Sequence, residues 1–338
     1  MIIAEIAQAH DGSLGILHSY IDALAQTGVD AIKFQTHIAE AESSIYEPFR
    51  VKFSYVDATR YDYWKRMEFT LEQWVGIKQH CDAVGVEFMS SPFSNAAVDI
   101  LEEVGVKRYK IGSGEVTNTL LLEKIVRTGK PVIVSSGMSN LEELDTAINY
   151  LKQHNIDITL LQCTTAYPTQ PTQWGLNAMD VLRQRYGLPV GFSDHSGNIF
   201  ACLAATALGA AVVEFHAVFD QLMFGPDAKA SIDIKHIPQM ITGIRQIRQS
   251  LDTPVNKDDI EAFAPVKKMF EKSLCVNKRL PQGHILQFDD LDAKKPAGYG
   301  IDARDFPNVL GRALSKDLER WDFLSDDTLR LLVSTDVV

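Results

Sequence analysis

Short runs of aliphatic and β-branched residues alternate with longer amphipathic stretches from residue 2 to about residue 250. The apolar runs predict eight strands, at residues 2–7, 30–36, 86–93, 108–113, 131–137, 158–164, 190–196 and 211–219. Amphipathic segments such as LEELDTAINYLKQH follow these runs and predict helices. Eight such units predict an α/β fold of the (β/α)8 TIM-barrel type. A doubly wound sheet rarely needs eight units, and no GxGxxG follows the first strand.

Almost every predicted strand begins with apolar residues and ends with polar ones. In a barrel the carboxyl ends of the strands meet on one face, and active sites are built there. The polar residues at these ends are Glu5, Lys33, Gln35, Ser90, Ser91, Lys110, Ser113, Ser135, Ser136, Thr164, Asp194, His195, Glu214 and His216. Any one of them alone could be an ordinary strand-end residue. Their common phase in eight strands predicts a polar site on one face.

The pattern changes after about residue 250. We predict a barrel over residues 1–252, a polar linker with a short helix over 253–272, and a small second domain over 273–338. The second domain shows short strands and turns. A segment of this size is marginal by itself, so we expect it to pack on a barrel of its own chain or of a partner.

A long connection, residues 37–69, separates the second predicted strand from its helix and is rich in aromatic residues. Loops of this length in compact domains are usually functional or disordered. The aromatic content favours a packed lid or rim over disorder.

Composition excludes several classes of function. The net charge of −11 and the pI near 5.3 argue against nucleic acid or an anionic membrane as the main partner. No apolar stretch approaches the ~20 residues that cross a bilayer, and the first residues do not resemble a signal peptide. The four cysteines form no CxxC pair, which favours reduced thiols. We therefore expect a cytoplasmic enzyme.

Two histidines end consecutive predicted strands. His195 and His216 could both reach one divalent metal, because neighbouring parallel strands lie about 4.8 Å apart. Two histidines are an incomplete ligand set, so the alternative of two hydrogen-bonded strand-end histidines stays open from spacing alone. His10 and His37 also fall at barrel ends, and we interpret His37 as a loop histidine.

Two lysines lie within apolar strands, where an ammonium group needs an anionic partner. A phosphate or carboxylate ligand would explain Lys33 and Lys110 together, and we favour it over salt bridges to Glu5 or Glu115. Hydroxyl groups and glycine-flanked amides after neighbouring strands can cradle phosphate oxygens. The hydroxyl groups concerned belong to Ser113, Ser135, Ser136 and Ser193.

Four further charged residues each have two possible roles, one functional and one structural. Glu5 and Glu115 are candidate general acid/base or hydroxyl-binding groups, and equally candidate charge partners of the lysines. Asp227 lies in a Gly-Pro turn and would by default only form that turn. Lys295 in the second domain would by default be solvated.

Taken together, these segments resemble the sialic acid (nonulosonate) synthase family over nearly the whole chain. The motifs that carry the resemblance are IAEIAQAHDGS, IKFQTH, SSPFS, YKIGSGE, SSGMS, LQCTTAYPT, GFSDHS, EFHAVF with FGPDAKAS, and KKPAGYGI with LGR. YKIGSGE, GFSDHS and GPDxxxS in this order are highly specific. The resemblance implies a (β/α)8 barrel joined to a small antifreeze-like (SAF) domain, and a domain-swapped homodimer.

The resemblance also implies the chemistry. A divalent metal, typically Mn²⁺ with Mg²⁺ or Co²⁺ as alternatives, would be held by His195 and His216 and would polarise the aldehyde of an open-chain amino sugar. Phosphoenolpyruvate would add to that aldehyde and release phosphate. The implied donor ligands are Lys33, Lys110, Ser113, Ser135 and Ser193. The implied contacts to the sugar or to metal-bound water are Glu5, Gln35, Glu115, Tyr167 and Asp227.

Three positions depart from the family pattern. Thr165 stands where many bacterial members have asparagine, and Lys295 stands where the antifreeze-like domain usually offers an arginine to grip the acyl group of the sugar. EFHAVF replaces a pattern with a basic residue before the histidine. These departures leave the acceptor open between N-acetylmannosamine and a 2,4-diacetamido-trideoxyhexose that leads to legionaminate or pseudaminate.

Two rival functions remain. A Schiff-base aldolase of the neuraminate lyase kind would use a barrel lysine such as Lys110 and free pyruvate without metal, but it leaves the histidine pair unexplained. A non-catalytic binder would be expected to lack ligands or anion-site residues, and nearly all of them are present.

Overall fold

The computed structural model describes residues 1–330, and the last eight residues of the predicted second domain lie outside them. The chain divides into two compact units. The first is Met1–Pro254, which ends two residues beyond the predicted end of the barrel, and the second begins at Val255. In the described part of the chain, no helix is both long enough and apolar enough to span a bilayer.

Eight parallel strands close into a barrel in the first unit. They are β1 (Ile2–Glu5), β2 (Ala31–Thr36), β3 (Glu87–Pro92), β4 (Tyr109–Ile111), β5 (Val132–Ser135), β6 (Ile158–Cys163), β7 (Val190–Asp194) and β8 (Val213–Val218). Each strand pairs with the next, and β1 pairs with β8. A short strand, β9 (Ile232–Asp233), extends the edge of β8. The predicted (β/α)8 barrel and all eight predicted strands are confirmed.

Helices separate the strands along the chain. They are α1 (Leu14–Ala25), α2 (Ala39–Glu42), α3 (Arg60–Met67), α4 (Leu71–Ala83), α5 (Asn95–Val104), α6 (Thr119–Val126), α7 (Leu141–Gln153), α8 (Ala178–Tyr186), α9 (Phe200–Ala207) and α10 (Ile237–Asp252). Their ends follow local chemistry. α7, for example, begins with a capping box between Asn140 and Glu143, and α5 ends at Gly105 in the left-handed conformation.

Alternate strand residues build two layers of core. One layer lies between the barrel and the helices and includes Ile2, Ala4 and Phe215. The other lies inside the barrel, where Ile3, Leu161 and Val212 form part of an apolar floor. Because side chains alternate along a strand, the next inward positions towards the carboxyl ends carry the polar residues.

The long connection after β2 is packed, as predicted. α2 and α3 fall within it, and Tyr63, Trp64 and Met67 form a separate buried cluster with Ala39. Arg66 ties this segment to the first loop of the barrel: its guanidinium bonds to Asp57 at 2.7 Å and to Asp11 at 2.7 Å. The connection is therefore a structured rim.

The second unit has its own small core. It contains α11 (Ala264–Phe270) and an antiparallel pair of β10 (Ser273–Val276) and β11 (Leu291–Lys294). Its buried apolar residues are Leu274, Val276, Leu280, Leu286, Val309, Leu314, Leu318, Leu324 and Leu329. Short strands and turns are present as the sequence predicted, and α11 lies within the stretch predicted as a linker with a short helix.

Candidate active site

The carboxyl ends of the barrel strands enclose a cavity of about 470 Å³. All but one of the predicted site residues of the barrel line it: Glu5, Lys33, Gln35, Lys110, Ser113, Glu115, Ser135, Thr165, Tyr167, Ser193, His195, His216 and Asp227. The exception is Ser136, whose hydroxyl accepts a hydrogen bond of 3.3 Å from the backbone amide of Cys163, so its assignment to the anion cradle is wrong. Lys295 belongs to the second unit, where its ammonium group lies 4.3 Å from the centre of the Phe270 ring. The alternation of side chains along each strand decides which strand-end residues reach the cavity: Ser91 lines it, whereas Ser90, Thr164 and Asp194 do not.

The two strand-end histidines lie side by side in the cavity. The ring centres of His195 and His216 are 5.0 Å apart. His195 Nδ1 lies 3.1 Å from the carbonyl oxygen of Thr164, which fixes the ring and leaves Nε2 available as a ligand. His216 Nδ1 is buried without a hydrogen-bond partner among the described residues. Two imidazoles with an unsatisfied nitrogen fit a divalent transition metal.

Among the residues that the structure describes, no third protein ligand completes this pair. Over residues 1–330, no group of three or more histidine, cysteine, aspartate and glutamate side chains has an arrangement that could hold a metal ion. A metal bound by His195 and His216 would therefore take its remaining ligands from water or substrate, which is the open coordination that catalysis requires.

Glu5 connects the histidine pair to the lysines. Its carboxylate lies 3.0 Å from His216 Nε2 and 2.9 Å from Lys33 Nζ, and it accepts a hydrogen bond of 2.7 Å from Gln35 Nε2. Burial acts to raise the pKa of Glu5, but His216 and Lys33 outweigh it and hold that pKa well below its ordinary value. Glu5 is therefore ionised at neutral pH.

Both lysines are fully buried and contact Glu214. Glu214 Oε1 lies 3.2 Å from Lys33 Nζ and 3.1 Å from Lys110 Nζ, and Lys110 also donates to Ser135 Oγ at 2.7 Å. The salt bridge of Lys33 to Glu5, the less favoured explanation from the sequence, is thus formed. Lys110 pairs with Glu214, not with Glu115.

The two lysines differ electrostatically. Burial alone would lower the pKa of both lysines. At Lys33, Glu214 and Glu5 together outweigh burial and raise the pKa above its ordinary value. At Lys110 burial prevails over the attraction of Glu214, so the pKa is lowered. Of the two ammonium groups, that of Lys33 is the more strongly held in its charged form.

Two hydroxyl groups of the cavity, those of Ser113 and Thr165, lie close to Gly137. A Cβ atom at Gly137 would lie 2.5 Å from Thr165 Oγ1 and 2.6 Å from Ser113 Oγ, so only glycine fits there. Thr165 Oγ1 is buried without a partner among the described residues, and Ser193 Oγ donates to Glu214 Oε1 at 3.0 Å. Ser113 Oγ contacts Cys163 Sγ at 3.6 Å. The cradle keeps polar atoms close together with unused hydrogen-bonding capacity.

Glu115 differs from Glu5 in the direction of its pKa shift. It receives a hydrogen bond of 2.8 Å from Asn118, but burial raises its pKa above the ordinary value. Two carboxyl groups in one cavity whose pKa values are shifted in opposite directions are suited to separate roles in proton transfer.

Tyr167 and Asp227 form the wall near the histidines. The Tyr167 ring lies 4.3 Å from the His195 ring, centre to centre, and burial raises the pKa of its hydroxyl. Arg50 from the long connection lies over the Tyr167 ring, with its guanidinium carbon 4.1 Å from the ring centre, and it bonds to Asp227 Oδ1 at 2.6 Å. Asp227 therefore does more than form a turn.

Five further charged residues line the cavity and were assigned no role from the sequence: Glu42, Glu47, Arg50, Arg60 and Glu214. Arg50 lies in an irregular segment, so no periodicity marks it. Glu214 was placed on this face with the other strand-end residues, and the signal that marked the lysines, a charge in an otherwise apolar strand, could have assigned it a role in the site.

His10 and His37, the other two histidines predicted at barrel ends, have different surroundings. His37 is buried between the rings of Trp64 and Phe93 at 3.9 and 4.5 Å, bonds to Glu42 at 2.6 Å and lines the cavity. The interpretation of His37 as a loop histidine understated its contacts. Burial lowers the pKa of His10 to about 3, and His10 does not line the cavity.

Comparison with known proteins agrees with this geometry. The NeuB family profile matches residues 20–256. The N,N'-diacetyllegionaminic acid synthase of Campylobacter jejuni (serotype O:2) is 34% identical over 96% of this chain and 99% of its own length. The pseudaminic acid synthase of C. jejuni strain 81-176 is 31% identical over 97% of this chain and 96% of its own.

A solved structure points the same way. The N-acetylneuraminic acid synthetase of Leptospira borgpetersenii, crystallised with citrate, is 28% identical with a TM-score of 0.69, over 78% of this chain and 90% of its own. The chain belongs to the NeuB family, the sialic acid synthase family that its motifs resemble, and it is a carbon–carbon bond-forming synthase.

Proposed function

We propose that the chain condenses phosphoenolpyruvate with an N-acylated amino sugar to give a nine-carbon 2-keto acid of the sialic acid type and phosphate. The observation that carries this proposal is the joint placement of two buried lysines and two buried histidines in one cavity. The lysines suit an anionic donor, and the histidines suit a metal beside it. The names of the synthases that this chain resembles support the product class.

The donor is held by the lysine side of the cavity. Lys33 and Lys110 neutralise its phosphate and carboxylate, and the hydroxyl groups of Ser113, Ser135 and Ser193 donate to its oxygens. C3 of phosphoenolpyruvate forms the new bond to the aldehyde carbon of the open-chain sugar. Water adds to the cationic C2, and cleavage of the C–O bond releases phosphate, so that atoms and charge balance.

The histidine side holds the acceptor. His195 and His216 would bind a divalent metal, which we propose to be Mn²⁺, with Mg²⁺ or Co²⁺ as alternatives. When bound, the metal polarises the sugar aldehyde. Gln35, Thr165, Tyr167 and Asp227 contact the hydroxyl and amide groups of the sugar.

Two carboxyl groups transfer protons during the reaction. Glu115, whose pKa burial raises, gives a proton to the alkoxide that forms on the former aldehyde oxygen. Glu5, held ionised by His216 and Lys33, orients and deprotonates the water that attacks C2. This division of roles follows the opposite directions of their pKa shifts.

The second unit also enters the proposal. We assign residues 273–338 to an antifreeze-like domain after a linker at 253–272, with the barrel over 1–252. Lys295 takes the place of the family arginine towards the acyl group of the sugar, in a domain-swapped homodimer. Sedimentation of the purified protein tests the dimer, and the acceptor KM of Lys295→Ala tests the contact; a monomer with unchanged KM would remove this part.

The test of the function is phosphate release from phosphoenolpyruvate, with and without Mn²⁺. The acceptors are N-acetylmannosamine, its 6-phosphate and a 2,4-diacetamido-trideoxyhexose. We expect metal-dependent release with one of them, which also identifies the acceptor. Release with none of them, or a stable adduct after borohydride trapping with pyruvate, would overturn the proposal; the adduct would indicate a Schiff-base aldolase.

A further inference from the structure

Glu214 places a carboxylate at the floor of the donor side of the cavity. It is inward-facing on β8 and 1% exposed. One of its oxygens, Oε1, serves three donors: Lys33 at 3.2 Å, Lys110 at 3.1 Å and Ser193 at 3.0 Å. The two ammonium groups are therefore held around a single oxygen atom.

The other oxygen of Glu214 is buried without a partner in the described part of the chain. A half-satisfied buried carboxylate is costly, and in a cavity for an anionic donor its charge also opposes the ligand directly. Its contribution must therefore come through the lysines that it contacts.

The lysines depend on Glu214 to different degrees. Lys33 has a second carboxylate partner, Glu5, at 2.9 Å. For Lys110, Glu214 is the one carboxylate within 4 Å among residues 1–330. Burial lowers the pKa of Lys110, and the attraction of Glu214 opposes this. Loss of the Glu214 charge would thus affect Lys110 most.

We propose that Glu214 is a positioning residue for the donor, because its carboxylate oxygen gathers Lys33 and Lys110 around one point. Each ammonium group has three N–H donors, so each can bond to Glu214 and to a donor oxygen at once. This inference rests on the proposed function, since the donor is the phosphoenolpyruvate assigned there. Glu214 itself needs no contact with the donor.

The experiment is direct binding of phosphoenolpyruvate by calorimetry, without acceptor, to the wild type and to Glu214→Gln. The glutamine keeps the shape and an acceptor oxygen but loses the charge. We expect donor affinity to fall at least about tenfold, since a buried ammonium group loses its charged partner. As pH rises, the donor affinity of both proteins should fall. The fall should occur at a lower pH in the variant than in the wild type.

Matched variants separate this role from a general structural one. Glu87→Gln removes a carboxylate that pairs with Arg108 at 2.8 Å on β3, outside the cavity, and should leave donor affinity within about twofold. Glu214→Asp keeps the charge and should recover part of the affinity. Circular dichroism checks that each variant is folded.

The outcomes are distinguishable from those of the proposed function. If the wild type does not bind phosphoenolpyruvate, the proposed function fails. If the wild type binds it and folded Glu214→Gln binds it equally well or more tightly with an unchanged pH profile, only the role of Glu214 is overturned. An affinity of Glu214→Asp below that of Glu214→Gln would show that geometry, not charge, is what matters, and would also overturn it.

Discussion

Glu5 and His216 are register partners across the seam where β1 pairs with β8, and their side chains meet at 3.0 Å. The carboxylate comes from the start of the chain and the imidazole from the last barrel strand. Lys33 is the register partner of Glu5 on the other side. The centre of the site therefore forms only when the barrel closes, which couples folding to assembly of the site.

Replacing His195 or His216 should abolish metal binding. We expect His195→Ala and His216→Ala to fold, to lose bound Mn²⁺ after dialysis, and to lose phosphate release by at least about a hundredfold, since two protein ligands leave no redundancy. Elemental mass spectrometry measures the metal. His154→Ala, at the exposed C-terminus of α7, is the control. Full metal content in either cavity variant would remove that histidine from the ligand set.

Removing Arg50 should affect the acceptor and spare the donor. Arg50 contacts Tyr167 and Asp227, which lie on the histidine side. We expect Arg50→Gln to raise the KM of the sugar about fivefold to tenfold, as a partly exposed charge pair contributes about 1 kcal/mol, with the donor KM within about twofold. Steady-state kinetics measure both constants.

A surface pair provides the control for that prediction. Arg185→Gln breaks the ion pair with Asp145 on the outside of the barrel and should change neither constant. If Arg50→Gln raises the donor KM instead, the placement of the acceptor next to Tyr167 is wrong.

Alanine should destabilise the barrel at Gly191 and stabilise it at Gly76. A Cβ at Gly191 would lie 2.3 Å from the carbonyl oxygen of Val212 and 2.6 Å from Leu161 Cδ2, so overpacking should cost about 3 kcal/mol. At Gly76 in α4 nothing lies within 4 Å of the new methyl group, and we expect a gain of about 0.5–1 kcal/mol from helix propensity. Urea denaturation followed by circular dichroism measures both. Equal stability of the two variants would contradict the close approach at Gly191.

Asp290 should make the stability of the second unit depend on acid pH. Burial acts to raise its pKa, but Lys278 and His284, each at 2.7 Å, outweigh it and lower the pKa to about 2. The folded pKa lies below the ordinary 3.8, so the stabilisation is complete above 3.8 and is lost as pH falls through 2. We expect Asp290→Asn to cost about 2 kcal/mol at pH 7 and less than half of that near pH 2.5.

Hydrogen exchange of the β10 and β11 amides across this pH range measures the effect of Asp290. The neighbouring Asp289→Asn, an exposed aspartate on the same turn, is the control and should change nothing. A difference in the stability of the second unit between wild type and Asp290→Asn that stays constant at all pH values would show that the aspartate acts through packing and not through its charge.

Much of the barrel was predictable because its signals are local. The eight strands and the helices between them follow from hydrophobic periodicity, and the polar strand ends follow from the direction of parallel strands. The phase of Lys33, Ser193 and His216 along their own strands was sufficient to assign each of them to the cavity. The Lys33–Glu5 contact was predicted too, but as the less favoured explanation.

Partner choice could not be read from the chain in the same way. Lys110 pairs with Glu214 and not with Glu115, because the inward layer of β8 faces the lysines across the barrel while Glu115 lies beyond the end of β4. Arg50 reaches Tyr167 from an irregular segment whose path depends on the packing of Tyr63, Trp64 and Met67.

By itself the sequence determined the barrel, the face that carries the site, the residue types on it and the family to which the motifs point. Each of these depends on residues close together in the chain or on one repeated period. The tertiary structure alone decided which charges meet: that Glu5 joins His216 to Lys33, that Glu214 gathers two lysines, and that Arg50 closes on Asp227. Those contacts depend on barrel closure and loop packing, which bring together residues far apart in sequence, and no local pattern encodes such distances.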